Sequence, residues 1–205
     1  MLPRLHIITN TTLQSRFSHF ELAKMAFSTG KCAVQYRNKA YLPDRDRAEL
    51  EAIAALARRS GLPLIINDDA ELAFQVGAQG VHLGKEDGSV AAARALLGPK
   101  AIIGATVHDP SELAALTGQA INYVGIGPVY GTRSKSTGLP DLGLSGLRTL
   151  VEISPWPVIA IGSIETANLA PVVEAGAYGC AVISSFGRAE NPVTVAKTML
   201  DILPD

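Results

Sequence analysis

The feature that most constrains this chain is an alternation. Eight short runs rich in aliphatic and β-branched residues recur at 5–9, 33–36, 63–66, 80–83, 101–106, 123–127, 157–161 and 179–183. Most lack a polar residue at every second position, which is the pattern of parallel strands covered on both faces. Between them, segments 19–27, 44–60, 70–76, 90–97, 110–116, 144–153, 166–175 and 193–203 read as helices. The clearest is 44–60, where Leu50, Ile53, Ala54 and Ala57 repeat at i, i+3, i+4 and i+7. Gly61 is placed to stop it, and Pro110 and Pro192 stand where a first-turn proline is tolerated.

Strict alternation of eight strands with eight helices predicts a parallel sheet with crossover helices. Because the units fill the chain, the expected fold is α/β, a closed (β/α)8 TIM barrel with residues 1–205 as a single domain. The length of 205 residues lies near the lower end of the range of about 200 to over 400 for such barrels. An open doubly wound sheet is the structural alternative, but the turn after the first run, Thr9-Asn-Thr-Thr-Leu13, has none of the glycines of its fingerprint. Gly77-Ala-Gln-Gly80 and Gly176-Ala-Tyr-Gly179 echo one another, each delivering a helix into a strand.

Charge then excludes partners. Eighteen Lys+Arg against nineteen Asp+Glu give a formal net charge of −1, so no global basic field exists to draw nucleic acid. No apolar run approaches the ~20 residues of a membrane span. The apolar part of the first ten residues is too short for a secretory signal, so a cytoplasmic protein is expected. Cys32 and Cys180 are too few for a disulfide framework and read as small buried hydrophobes. Composition leaves a homo-oligomer open.

In a (β/α)8 barrel the chemistry sits on the rim where strands end. The residues following each run are therefore the candidate site. They include Gln35, Arg37 and Lys39 after the second run, Asn67-Asp68-Asp69 after the third, and Gly84-Lys-Glu86-Asp87 after the fourth. Thr106 and His108 follow the fifth, and a long Gly/Ser/Thr-rich loop carrying Thr132, Ser134 and Lys135 follows the sixth. Gly162-Ser163 and Ile183-Ser184-Ser185 end the last two. Asp68 and Asp87 would be neighbours, and two carboxylates suit Mg2+ completed by water and phosphate oxygens. Each acid could instead cap a helix, and Asp69 could cap while Asp68 faces the pocket. Arg37, Lys39 and Lys135 form the anion side, although single surface cations are commonly just solvated. Small residues after the last two strands offer free backbone N–H groups to a phosphate. The loop at 127–143 reads as a lid carrying Lys135, or as a plain connector.

Other templates fail. Gly125-Ile-Gly127-Pro-Val-Tyr-Gly131 has its third glycine one place late for a dinucleotide fingerprint, and Gly131-Thr-Arg-Ser-Lys135-Ser136 is too short for a Walker loop. His6, His19, His82 and His108 show no zinc spacing, and His6 and His82 read as satisfied interior or rim residues. Trp156 reads as a packing residue.

Taken in order, Gln35-x-Arg37-x-Lys39, Ile66-Asn67-Asp68, Gly80-Val-His82-Leu-Gly84-x-Glu86-Asp87, Gly127-Pro-Val-Tyr-x-Thr132-x-Ser134-Lys135, Ile161-Gly162-x-Ile164 and Val182-Ile183-Ser184 resemble the thiamin-phosphate synthase family over essentially the whole chain. The resemblance implies a (β/α)8 transferase that joins an aminopyrimidine-methyl diphosphate to hydroxyethylthiazole phosphate and releases pyrophosphate. It implies that Gln35, Arg37 and Lys39 hold the pyrimidine substrate's diphosphate side and that Asn67 touches the pyrimidine. By the same resemblance Asp68 and Asp87 bind Mg2+, and Thr106 stands where the family usually has a serine facing the pyrimidine. Thr132, Ser134, Gly162, Ile183 and Ser184 would hold the thiazole phosphate and Lys135 the diphosphate, with Lys135, Thr106 and Arg37 carrying the catalysis. The chain departs from the pattern at Lys85 (usually glutamine), Ser163 (usually glycine), Thr106, His6 and Asn10. Two other readings stand beside this one. A thiazole tautomerase of the same superfamily would need a histidine where this chain has Pro128, and would lack the acids kept here as Asp68 and Asp87. A phosphometabolite-binding paralogue without turnover is supported only by Ser163 and Lys85.

Overall fold

The structure is a computed structural model that describes residues 1–131 and 140–204. Among these residues eight strands close into one parallel barrel in the order β1 to β8. The strands are β1 (Leu5–Thr9), β2 (Cys32–Tyr36), β3 (Leu64–Asn67), β4 (Gly80–Leu83), β5 (Ile102–Val107), β6 (Tyr123–Ile126), β7 (Val158–Ile161) and β8 (Gly179–Val182). Closure is made by β1 against β8, with Leu5 beside Cys180 and Ile7 beside Val182.

The helices are α1 (His19–Phe27), α2 (Pro43–Ser60), α3 (Ala70–Val76), α4 (Val90–Leu97), α5 (Pro110–Ala115), α6 (Gly143–Ile153), α7 (Leu169–Glu174), α8 (Ser184–Gly187) and α9 (Pro192–Ile202). The expected alternation is present, with one correction: the described residues hold nine helices, because Ser184 and Ser185 open a one-turn helix where a turn was expected. Helix α7 also starts later than expected, since Asn168 accepts the Glu165 N–H at 2.8 Å and shapes the segment before it.

Local chemistry explains the boundaries. Leu50, Ile53, Ala54 and Ala57 are the buried stripe of α2, and burying each Leu or Ile contributes roughly 1.5–3 kcal/mol. Gly61 ends α2 with φ 69°, the left-handed conformation glycine adopts without cost. Pro110 and Pro192 occupy first-turn positions. Asp69 caps α3 by accepting the Leu72 N–H at 2.8 Å. Ser89, not Asp87, caps α4, so the capping reading of Asp87 is corrected.

Two apolar layers hold the barrel. The larger lies between strands and helices and takes in both free cysteines, fully buried. Trp156 packs against it, partly buried. The smaller fills the interior with Ile8, Ala33, Ile65, Tyr123, Ile159 and Ala181, one from each of six strands. These six strands are therefore covered on both faces by apolar side chains, which is why most of the runs lack polar alternation.

Candidate active site

Gln35, Arg37, Lys39, Asn67, Asp68, Asp87, Thr106, Gly162, Ile183 and Ser184, chosen from the sequence, line one cavity of about 630 Å³ at the ends of the strands, whereas Asp69 caps α3 instead. Thr132, Ser134 and Lys135, with most of the expected lid, lie outside the described residues. The ends of that loop are fastened together, since Leu142 and Gly143 donate their N–H groups to the carbonyls of Pro128 and Val129 at 2.9 and 3.0 Å.

Each wall has a local cause. Asp68 leaves β3 with φ 70°, a left-handed conformation uncommon outside glycine but tolerated by Asp. Its N–H donates to the His82 carbonyl at 2.8 Å, which extends the β3–β4 pairing by one rung and fixes the turn. The Asp68 carboxylate pairs with the Lys39 ammonium from the neighbouring strand end. Asp87 accepts the Gly84 N–H at 2.8 Å. Burial raises the Asp87 carboxyl above the ordinary carboxylate range, and the adjoining Asp68 raises it further. Two hard oxygen donors so placed repel one another, and a divalent cation would relieve that repulsion. The donor set thus fits Mg2+. Arg37 is set by its backbone: its N–H donates to Thr9 Oγ1 at 3.3 Å, and that oxygen also meets His19 Nδ1 at 2.7 Å.

The opposite wall is a cup of small residues. Gly162 has φ 114°, and a Cβ there would stand 2.7 Å from Pro128 Cα and from Val129 N. Only glycine fits so close a backbone approach. Ser163 is also left-handed at φ 46°, and its hydroxyl donates to the Gly131 carbonyl at 3.2 Å. Val129 N–H to Ile161 O at 2.9 Å and Tyr130 N–H to Gly162 O at 3.2 Å continue the same β6–β7 seam. Ser185 Oγ is buried at the cup without a hydrogen-bond partner among the described residues.

Sequence reasoning passed over Glu112 and Tyr123 and gave His82 no part in the site. Glu112 reaches the cavity from α5, where it accepts from the His108 N–H at 2.9 Å and lies 3.0 Å from His108 Nδ1. Tyr123 reads as core from its strand but lines the cavity floor. His82, expected to be an interior or rim residue, joins Tyr123 to Thr106, with its ring nitrogens 2.9 Å from each hydroxyl oxygen. His6 corrects the expectation of a satisfied histidine. Its Nε2 meets the Pro3 carbonyl at 3.1 Å, but its buried Nδ1 has no partner among the described residues. Burial holds the His6 ring neutral by lowering its pKa to about 3, with His82 nearby acting in the same direction.

A parallel (β/α)8 barrel whose C-terminal rim faces paired acids and cations across a glycine-lined cup defines the class. Residues 5–186 match the family described as thiamine monophosphate synthase, and the chain belongs to it. The thiamine-phosphate synthase of Salinibacter ruber is 40% identical over 189 residues, covering 92% of this chain and 83% of the relative. That of Chloroflexus aurantiacus is 36% identical over 196 residues, covering 96% and 90%. A solved thiamine phosphate pyrophosphorylase from Pyrococcus furiosus superposes with a TM-score of 0.85 at 30% identity, covering 97% of this chain and 94% of that one. By family the chain is a transferase of thiamine biosynthesis. No helix among the described residues is long and apolar enough to cross a membrane.

Proposed function

We propose that this chain joins 4-amino-2-methyl-5-(diphosphooxymethyl)pyrimidine to hydroxyethylthiazole phosphate, giving thiamin phosphate and pyrophosphate. The observation that carries this reading is that acids, cations and the glycine-lined cup share one cavity in a chain of this family. Small molecules are its substrates, and the cytoplasm is the compartment this reading assigns. The unbridged, buried thiols of Cys32 and Cys180 agree with a reducing environment.

The residues divide the work. Asn67 and Thr106 orient the pyrimidine, while Gln35, Arg37 and Lys39 hold its diphosphate side, Lys39 turning from Asp68 to do so. Asp68 and Asp87 would hold Mg2+, which when bound neutralises charge on the diphosphate. Gly162, Ile183 and Ser184 take the thiazole phosphate on backbone N–H groups and a hydroxyl, and Ser185 Oγ adds a donor. Thr132 and Ser134 join them by resemblance, and Lys135 stabilises the departing diphosphate. The C–O bond to diphosphate breaks first, its electron pair leaving with the diphosphate while positive charge develops on the pyrimidine methylene; the thiazole nitrogen then gives its lone pair to that carbon, and no proton has to move. Catalysis is then preorganised charge stabilisation plus positioning of two substrates, and no nucleophile or general base is required.

Purified protein with Mg2+ and both substrates is expected to release pyrophosphate and form thiamin phosphate in equal amounts. Binding of both substrates without product would overturn this reading in favour of a non-catalytic paralogue.

A further inference from the structure

We propose that Tyr123 and His82 form a relay that fixes the Thr106 hydroxyl as a hydrogen-bond donor to an sp2 ring nitrogen of the bound heterocycle. The geometry comes from three adjacent strands. Tyr123 opens β6, His82 lies in β4, and Thr106 lies in β5 between them. The phenol oxygen stands 2.9 Å from His82 Nδ1, and His82 Nε2 stands 2.9 Å from Thr106 Oγ1. Two glycines make room for the chain of contacts. A Cβ at Gly104 would lie 2.2 Å from Tyr123 Cζ, and one at Gly125 would lie 3.0 Å from His82 Cε1. The His6 ring packs edge-on against Tyr123 at 5.0 Å between centroids, which holds the phenol from the far side.

Elementary acidity gives the relay its direction. A neutral imidazole has one N–H and one lone pair, so one neighbour must donate to it and the other accept. A phenol, with pKa about 10, is a better donor than an aliphatic alcohol, and conjugation makes its oxygen the poorer acceptor. Tyr123 therefore donates to Nδ1, and the Nε2–H donates to Thr106 Oγ1. The Thr106 proton is left to point into the cavity. The β-branched side chain restricts χ1 and limits the directions open to that proton. A ligand atom meeting Thr106 must then accept, as a pyrimidine nitrogen does and an exocyclic amino group does not. The identity of that ligand rests on the proposed function; the direction of the relay does not.

The test is a long-range ¹H–¹⁵N correlation on ligand-free protein labelled at histidine, with His82 assigned by its loss in His82→Gln. The expected result is a neutral ring protonated at Nε2 whose bare Nδ1 accepts a hydrogen bond. A ring protonated at Nδ1, or an imidazolium, overturns the relay, and this needs no turnover. In Tyr123→Phe the Nδ1 signal is expected to move toward that of an unbonded lone pair; an unmoved signal also overturns it. Kinetically, Tyr123→Phe should raise KM for the pyrimidine diphosphate roughly three- to tenfold, the span of one neutral hydrogen bond, and leave KM for the thiazole phosphate in place. An unchanged pyrimidine KM overturns the link from Thr106 to substrate. Absence of any product, with the expected tautomer observed, sinks the synthase reading and not the relay.

Discussion

Asp68 shows how a single residue can combine backbone and side-chain demands. Its left-handed φ of 70° turns the chain out of β3, and the bond from its N–H to His82 O secures that turn. Asn tolerates the same conformation, so Asp68→Asn should keep the fold while removing a charge from the two carboxylates proposed to hold Mg2+. Mg2+-dependent pyrophosphate release is expected to fall by about two orders of magnitude or more, beyond the 10–100-fold typical of losing an outer partner. An unchanged Mg2+ titration in that assay would take Asp68 out of the metal site. Asp68, Asp87, Arg37 and Lys39 were legible in the sequence because each lies within four residues of the end of an aliphatic run, and the rim is where runs end. The roles of His82 and Tyr123 were not. Their strands could be read, but which interior side chains meet depends on depth within the barrel and on space left by Gly104 and Gly125.

At the scale of elements, the β6–β7 seam decides the shape of the cup. Pro128 and Val129 press on Gly162, and the contact falls on backbone atoms that cannot swing aside. Gly162→Ala should therefore destabilise by about 3 kcal/mol, the upper end of overpacking, and weaken thiazole phosphate binding. Gly30→Ala is the control: it too has a positive φ, 79° against 114° at Gly162, but nothing within 4 Å of a new Cβ. There only the left-handed penalty of about 1 kcal/mol applies. Equal losses in denaturant unfolding would refute the packing account. The strands were legible because burial on both faces leaves uninterrupted aliphatic runs. Helix α8 was not, because four residues cannot display a helical period.

For the whole molecule, buried neutral histidine predicts the acid limit of stability. The His6 ring has its pKa lowered from 6.5 to about 3, and burial of His19 shifts it in the same direction. The unfolded chain then binds protons that the folded chain refuses, so stability is lost as pH falls through 6.5 and declines further toward 3. His6→Gln should flatten the slope of unfolding free energy against pH across that window. A slope identical to the parent's would show that other groups set the acid limit.

The bond between β1 and β8 reaches beyond the architecture of the site. A ring of strands has no first or last member, so the parallel sheet offers no row of unpaired amides to a neighbouring chain. In an open sheet, a sequence that is 47% apolar and built of near-continuous aliphatic runs would template its own aggregation. Closure makes the same runs safe in a crowded solution, and leaves the rim free to carry exposed, strained and highly charged residues.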